Sequence, residues 1–96
     1  MLDLRPNCEN CNKSLPPASG EAMICTFECT FCVECVRDVL ENVCPNCGGG
    51  FEKRPVRPVG ELVKYPASEA AVLKPVDIEV FRDLRERMKD VGPEDR

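Results

Sequence analysis

Eight cysteines and no histidine are the residues of this chain whose types and spacing point most directly to chemistry. All eight lie in the first half of the sequence, as Cys8, Cys11, Cys25, Cys29, Cys32, Cys35, Cys44 and Cys47. Most form close pairs separated by two residues, a spacing that lets two thiolates on one tight turn reach the same ion. Since four thiolates complete a tetrahedral zinc site, the pattern predicts two closed sites and two zinc ions per chain.

Zinc is favoured over disulfides and over iron–sulfur clusters because of the compartment that the sequence indicates. The N-terminus lacks the charged segment and the apolar run of a signal peptide. No stretch approaches about 20 consecutive apolar residues, so a membrane span is not expected either. We therefore expect a cytoplasmic protein, and in the cytosol thiols stay reduced and serve more often as metal ligands than as bridges.

The four pairs of cysteines can be combined into sites in two ways. Sequential pairing joins the first four cysteines and the last four, whereas interleaved pairing joins the first pair with the third and the second with the fourth. Interleaving is favoured, because a third pair at the start of a helix would come back onto the turn that carries the first pair. The predicted ligands are then Cys8, Cys11, Cys32 and Cys35 in site one, and Cys25, Cys29, Cys44 and Cys47 in site two.

The segments between the cysteines predict a small zinc-dependent α+β domain over residues 1–50. Residues 21–31 are rich in Met, Ile, Thr and Phe, which indicates a hairpin that carries the second pair. Apolar residues then recur every three or four positions, which predicts a helix over residues 33–42. That helix must end before Cys44-Pro45, since proline disfavours helical geometry in the residue that precedes it.

The second half of the chain has a different composition. Prolines punctuate residues 51–75 and predict an extended connector, with a short strand expected at 61–65 and one or two helical turns at 68–73. Residues 76–96 predict an amphipathic helix and a short tail, with Asp77 as the N-cap. The apolar stripe of this helix consists of Ile78, Phe81, Leu84, Met88 and Val91.

This stripe has two interpretations. Either it packs back on the zinc domain or the connector, or it docks on an unidentified protein partner or on a second copy of the chain. Burying such side chains stabilises a structure by roughly 1.5–3 kcal/mol each, so an isolated exposed helix is not expected. The five residues of the stripe are accordingly the candidate partner-binding residues.

The ligand spacing and the closing Cys44-Pro45-Asn46-Cys47 resemble a RING finger, with Cys29 standing where that family usually has histidine. The resemblance implies a RING-like treble clef, and it supports interleaving because RING domains bind their two zinc ions in a cross-brace. RING ubiquitin ligases present an apolar residue between their first two ligands, where this chain has Glu9 and Asn10. Ligase activity therefore ranks low among the alternatives.

Longer strings of residues resemble a bacterial cysteine-rich family called domain of unknown function 1272. The strings are Leu4-Arg5-Pro6-Asn7-Cys8, residues 24–32 and Cys44-Pro45-Asn46-Cys47-Gly48-Gly49. That family carries no assigned activity. The resemblance therefore implies a bacterial relative and leaves the function open.

The filled metal sites, the lack of histidine and the net charge indicate which class of function is favoured. Two filled sites leave no open coordination position, and no histidine is present as a general base, so an enzyme is not expected. The formal net charge is −4; two four-thiolate zinc sites would bring it to about −8, which opposes binding to a nucleic-acid backbone. The favoured function is a non-enzymatic protein-interaction or regulatory adaptor.

Two other functions stay open beside the adaptor. A nucleic-acid-binding regulator is the first, because a basic cluster follows the cysteines. The second is a thiol redox sensor, since zinc-bound thiolates can be oxidised and then release the metal. The basic cluster consists of Lys53, Arg54, Arg57 and Lys64.

Overall fold

A β-hairpin carries the second pair of cysteines, as the sequence predicts. The computed structural model describes all 96 residues and places β1 at Ala22–Ile24 and β2 at Thr30–Cys32. Cys25 directly follows β1, and Cys29 directly precedes β2, so both lie in the turn at the end of the hairpin. The antiparallel register pairs Ala22 with Cys32, Met23 with Phe31 and Ile24 with Thr30.

A third strand extends the sheet beyond the cysteine-rich half. β3 (Glu52–Lys53) pairs antiparallel with β1 and gives the order β2–β1–β3. The sequence does not predict this strand, because two residues are too few to show a periodicity. Phe51 is buried just before it and meets the ring of Phe31 edge-on, with the ring centroids 5.4 Å apart. The sheet thus includes residues that the sequence assigns to the connector.

α1 (Val33–Asp38) begins directly after β2 and is four residues shorter than the predicted helix over 33–42. The longer helix is wrong because Glu41 and Asn42 adopt positive φ angles of 48° and 61°, outside the right-handed helical region. The Asn42 N–H donates back to the Val36 carbonyl, 3.0 Å away, and closes the helix end. The chain can therefore reverse before the last pair of cysteines.

The connector contains less regular structure than the sequence predicts. Its only helical turn is a 3₁₀ turn at Val59–Glu61. The strand expected at 61–65 and the helical turns expected at 68–73 are both absent, so these two predictions are wrong. Residues 66–77 contain neither helix nor strand up to the start of the last helix.

Tertiary hydrogen bonds explain why this part of the connector is extended. The Ser68 N–H donates to the Leu4 carbonyl at 3.0 Å, and the Lys74 N–H donates to the Glu9 carbonyl at 2.8 Å. Both acceptors lie in the N-terminal residues, far away in sequence. A backbone that uses its donors in this way cannot also form a local helix, which a pattern of neighbouring residues does not reveal.

α2 (Ile78–Met88) confirms the predicted C-terminal helix and its N-cap. Asp77 Oδ1 accepts hydrogen bonds from the N–H groups of Glu79 and Val80 at 3.1 and 3.3 Å. The helix is shorter than the apolar stripe, so Val91 lies beyond its end. None of the helices is long and apolar enough to cross a membrane.

The side chain of Arg54 is buried although it belongs to the basic cluster. Its guanidinium donates to the carbonyls of Arg5, Leu15 and Pro16 at 2.9, 3.2 and 3.0 Å, and the residue is 1% exposed. Burial lowers the pKa of this guanidinium, and no carboxylate pairs with it. Arg54 thus joins β3 to the N-terminal residues and to the loop at 15–16, and it offers no charge to a nucleic acid.

Candidate metal centre

Four cysteines from two separate segments meet at one point. The sulfur atoms of this first group all lie within 4.8 Å of one another, and Cys11 Sγ is 3.7 Å from Cys32 Sγ. Three of the residues are buried and Cys11 is exposed, so the group lies at the edge of the core. An arrangement of four sulfurs of this kind can hold a metal ion. Its members are Cys8, Cys11, Cys32 and Cys35.

The elements around the first group explain how the sulfurs converge. Cys8 and Cys11 lie on a turn, the first cysteine turn (residues 8–11), which is closed by a hydrogen bond from the Asn12 N–H to the Cys8 carbonyl at 3.0 Å. Cys32 ends β2, and Cys35 lies in the first turn of α1. Because α1 follows β2 without a loop, one rigid corner of the fold presents this pair to the first cysteine turn.

A second group contains three cysteines within the same mutual distance, Cys25, Cys44 and Cys47. Cys44 and Cys47 lie on the second cysteine turn (residues 44–47), in which the Gly48 N–H donates to the Cys44 carbonyl at 2.8 Å. Gly48 adopts a φ of 80°, a conformation that a residue with a side chain rarely takes. The turn can therefore double back around the two sulfurs.

The two groups follow the interleaved order, since the first and third pairs meet and members of the second and fourth pairs meet. Cys29 is the one cysteine outside both groups. It is buried beside the second group, and Asn46 Nδ2 donates to its sulfur at 3.4 Å. Cys29 as the fourth ligand of the second site stays a prediction.

Backbone N–H groups point at two sulfurs of the second group. The Phe27 N–H donates to Cys25 Sγ, and the Gly49 N–H donates to Cys47 Sγ, each at 3.4 Å. Hydrogen bonds of this kind orient the sulfur atoms, as contacts around metal ligands usually do. The second group is thereby prepared to bind a cation.

Burial opposes ionisation at the more enclosed cysteines. Burial raises the pKa of the thiols of Cys29, Cys32, Cys35 and Cys44, the last two strongly. Burial acts in the same direction at Cys11, but a backbone hydrogen bond at Lys13 and the neighbouring thiols outweigh it and lower the pKa there. Thiols that are crowded together in this way ionise together only when a cation neutralises them, and a bound metal ion supplies that charge.

Two asparagines contact the sulfurs, and the pattern of cysteines does not predict either contact. Asn10 Nδ2 donates to Cys35 Sγ at 3.3 Å, as Asn46 Nδ2 does to Cys29 Sγ. Each asparagine occupies the same place in its turn, because both turns read Cys-x-Asn-Cys. The repeated Cys-x-Asn-Cys motif is the sequence signal from which the contacts of these asparagines with sulfur could have been predicted. Their side-chain N–H groups lie where they would orient the ligands and stabilise thiolates.

The same two asparagines attach the end of the connector to the cysteine turns. Asn10 Oδ1 accepts a hydrogen bond from the Val76 N–H at 2.9 Å. Asn46 Oδ1 accepts one from Lys74 Nζ at 3.3 Å. Residues 74–76, which lead directly into α2, are therefore held by side chains that also hold the candidate metal ligands.

α2 packs back on the cysteine-rich half, which is the first of the two interpretations of its apolar stripe. Phe81 is 5% exposed and belongs to the core, and Leu84 and Met88 pack against the core from its edge. Val91 is half-buried beyond the helix end, whereas Ile78 is 40% exposed. Binding of a partner by this stripe stays a prediction.

Half of the basic cluster is engaged inside the chain. Besides the buried Arg54, Arg57 donates to the carbonyls of Tyr65 and Leu2 at 2.8 and 2.7 Å. Lys53 and Lys64 remain exposed. Half of the charges on which the nucleic-acid alternative depends therefore have a structural role.

Comparison with known proteins gives two matches. Residues 1–57, which include all eight cysteines, match the model of a family described as "Protein of unknown function (DUF1272)". A protein of Rhizobium meliloti (strain 1021), described as uncharacterized, is 65% identical over 75 residues, which cover 78% of this chain and 89% of that protein. No solved structure matches the chain. Neither description names an enzymatic activity.

We expect the two asparagines to control the affinity of the two groups separately. Asn10→Ala removes the N–H donor to Cys35 and should weaken zinc binding by the first group about 10- to 100-fold, the usual effect of losing such a contact. Asn46→Ala should do the same at the second group. Competition with a chromophoric chelator measures both affinities. Thr26→Ala, an exposed polar residue beside Cys25 that contacts no sulfur, is the control and should bind zinc as the unaltered chain does. Unaltered affinities in both asparagine variants would contradict this role.

Proposed function

The chain belongs to the family described as a protein of unknown function (DUF1272), which confirms the resemblance found in its sequence, and from this premise we propose that it is a non-enzymatic zinc-binding adaptor. In this proposal two zinc ions stabilise the cysteine-rich half in the cytosol, and the surface of the folded chain contacts other proteins. The zinc ions hold the scaffold and take no part in a reaction.

The sulfur spacing of the first group is the observation that carries this proposal. Tetrahedral bonds of about 2.3 Å between zinc and sulfur place neighbouring sulfurs about 3.8 Å apart. Cys11 Sγ and Cys32 Sγ are 3.7 Å apart. An all-thiolate set also suits zinc far better than magnesium or calcium, which prefer oxygen ligands. The residues therefore fit the ion that the sequence predicts.

We assign Cys29 as the fourth ligand of the second site and the whole arrangement as a RING-like treble clef. The interleaved grouping supports this assignment, as do a hairpin and a helix that follow the first cysteine turn. Four sulfurs around each ion leave no position for a water or a substrate, so the zinc would be structural. A structural role also agrees with free thiols in a reducing compartment, since no disulfide joins any of the eight cysteines.

The adaptor role is supported by apolar side chains that the chain leaves uncovered. Phe81, Leu84 and Met88 are occupied by packing inside the chain. Apart from the N-terminal methionine, the most exposed large apolar residues are instead Val63 and Val59, which are 92% and 83% exposed. They are four positions apart on one turn of the connector, so they can face a partner together. We propose this turn as the contact surface.

Native mass spectrometry of the full chain tests the zinc sites. We expect two zinc ions per chain, and one ion in each of the variants Cys8→Ser and Cys25→Ser, because each removes a ligand from a different site. Cys29→Ser should also lose the second ion if Cys29 is its fourth ligand. Ser19→Ala, a half-buried residue outside both groups, should keep two ions. One ion or none in the unaltered chain would contradict the architecture.

Chemical cross-linking of the full chain in cells tests the contact surface. The double variant Val59→Ser with Val63→Ser should lose its cross-linked protein partner, because an apolar contact is replaced by hydroxyls that prefer water. The control is Lys64→Ser, which changes an exposed residue on the same turn and leaves both valines in place. Zinc content must be unchanged in both variants. Full recovery of the partner by the double variant would exclude this surface.

A further inference from the structure

A cavity of about 320 Å³ lies between the second cysteine turn, residues 74–77 and the first turns of α2. Its wall is mainly apolar and includes Pro45, Val80 and Leu84. Four polar side chains also line it, those of Glu9, Asn46, Lys74 and Asp77. A cavity of this size, with apolar walls and few polar groups, is the usual form of a small-ligand site.

Glu9 is the unusual residue of the cavity, because a buried carboxylate is normally surrounded by donors. It is 5% exposed. Asn46 Nδ2 donates to Oε1 at 2.9 Å, but Oε2 accepts no hydrogen bond within the chain. The one cation within ion-pair range of Oε2 is Arg5, whose Nη1 is 3.8 Å away, beyond hydrogen-bonding distance. One oxygen of a buried carboxylate is thus left for a donor that the chain does not provide.

The other charged groups of the cavity do not supply that donor. The Lys74 ammonium contacts Asn46 Oδ1 and forms no ion pair with Glu9. Asp77 is a carboxylate and has no donor to offer; its Oδ1 accepts from the two N–H groups of α2 that it caps. The cavity therefore combines an apolar wall with a buried carboxylate, one oxygen of which accepts no hydrogen bond.

We propose that this cavity binds a primary alkylammonium group, either a small amine or a lysine side chain of a peptide, with its nitrogen at Glu9 Oε2. The ammonium donates to the free oxygen, and its methylene groups lie against Val80 and Leu84. A charged donor to a carboxylate forms a strong hydrogen bond, which accounts for recognition of the head group. The apolar wall accounts for recognition of the chain of methylenes. This binding does not depend on the adaptor role proposed above.

Lys74 should oppose the binding of a cation in this cavity. Its ammonium lines the same cavity and repels a bound cation. Removing that charge should strengthen the binding of an alkylammonium and weaken the binding of a carboxylate. A variant that is expected to bind more tightly cannot be explained by damage to the fold.

NMR titration of the full ¹⁵N-labelled chain with n-butylammonium tests the proposal. We expect saturable shifts of the amide signals of Glu9, Val76 and Val80. n-Butanol and butyrate should bind at least about tenfold more weakly, because neither can make the charge-assisted hydrogen bond. Nα-acetyl-lysine amide separates the two sources of the ligand: binding equal to that of n-butylammonium indicates a lysine side chain, and much weaker binding indicates a small amine.

Three variants and a control complete the test. Glu9→Gln keeps an acceptor for Asn46 and should bind n-butylammonium at least about tenfold more weakly, since the charge is lost. Val80→Ser, an exposed position outside the cysteine turns, should also weaken binding, and Lys74→Met should strengthen it about twofold or more. Lys53→Met removes an exposed charge away from the cavity and should leave the affinity for n-butylammonium unchanged.

Equal binding of n-butylammonium and butyrate would overturn the proposal. So would affinities for n-butylammonium that neither Glu9→Gln nor Lys74→Met changes.

Discussion

The structure depends on cysteine thiols being brought together inside a very small core. Only 20 of the 96 residues are buried, and six of the fourteen residues in the core cluster are cysteines. A core of this size is near the limit at which apolar burial alone stabilises a fold. Burial also raises the pKa of four of the thiols, so crowding them without a cation is unfavourable. An ion that binds the thiolates removes that cost, and folding and metal binding then stabilise each other.

The C-terminal half depends on the same two groups of cysteines through short polar contacts. Asn10 and Asn46 each donate to a cysteine sulfur and each accept from residues 74–76. Phe81 then enters the core, and Arg96 donates to the Asn42 carbonyl at 2.7 Å next to the second cysteine turn. α2 has 11 residues, a length at which an isolated helix is marginal in water. Its stability must therefore come from docking on the cysteine-rich half.

The sequence predicts those parts of the structure that are determined by residues close together in the chain. The hairpin, the Asp77 cap and the apolar face of α2 follow from neighbouring residues, and so do the close cysteine pairs that form the two groups. The end of α1 and the lack of a strand at 61–65 and of helical turns at 68–73 did not follow, because they depend on the positive φ of Asn42 and on backbone bonds to distant residues. Arg54 looked like part of an exposed basic cluster, since its three carbonyl acceptors lie 38 to 49 residues away. The free oxygen of Glu9 also requires three-dimensional placement to be seen.

Hydrogen–deuterium exchange of the full chain, before and after metal chelation, tests the central claim that the cysteine groups hold the rest of the molecule in place. Chelation should increase exchange at the α2 amides of residues 81–88 by at least about tenfold, together with exchange in the hairpin, because an undocked helix of this length frays. The α2 amides are informative because they lie far in sequence from every cysteine. Protection of α2 that persists unchanged in the metal-free chain would contradict the account.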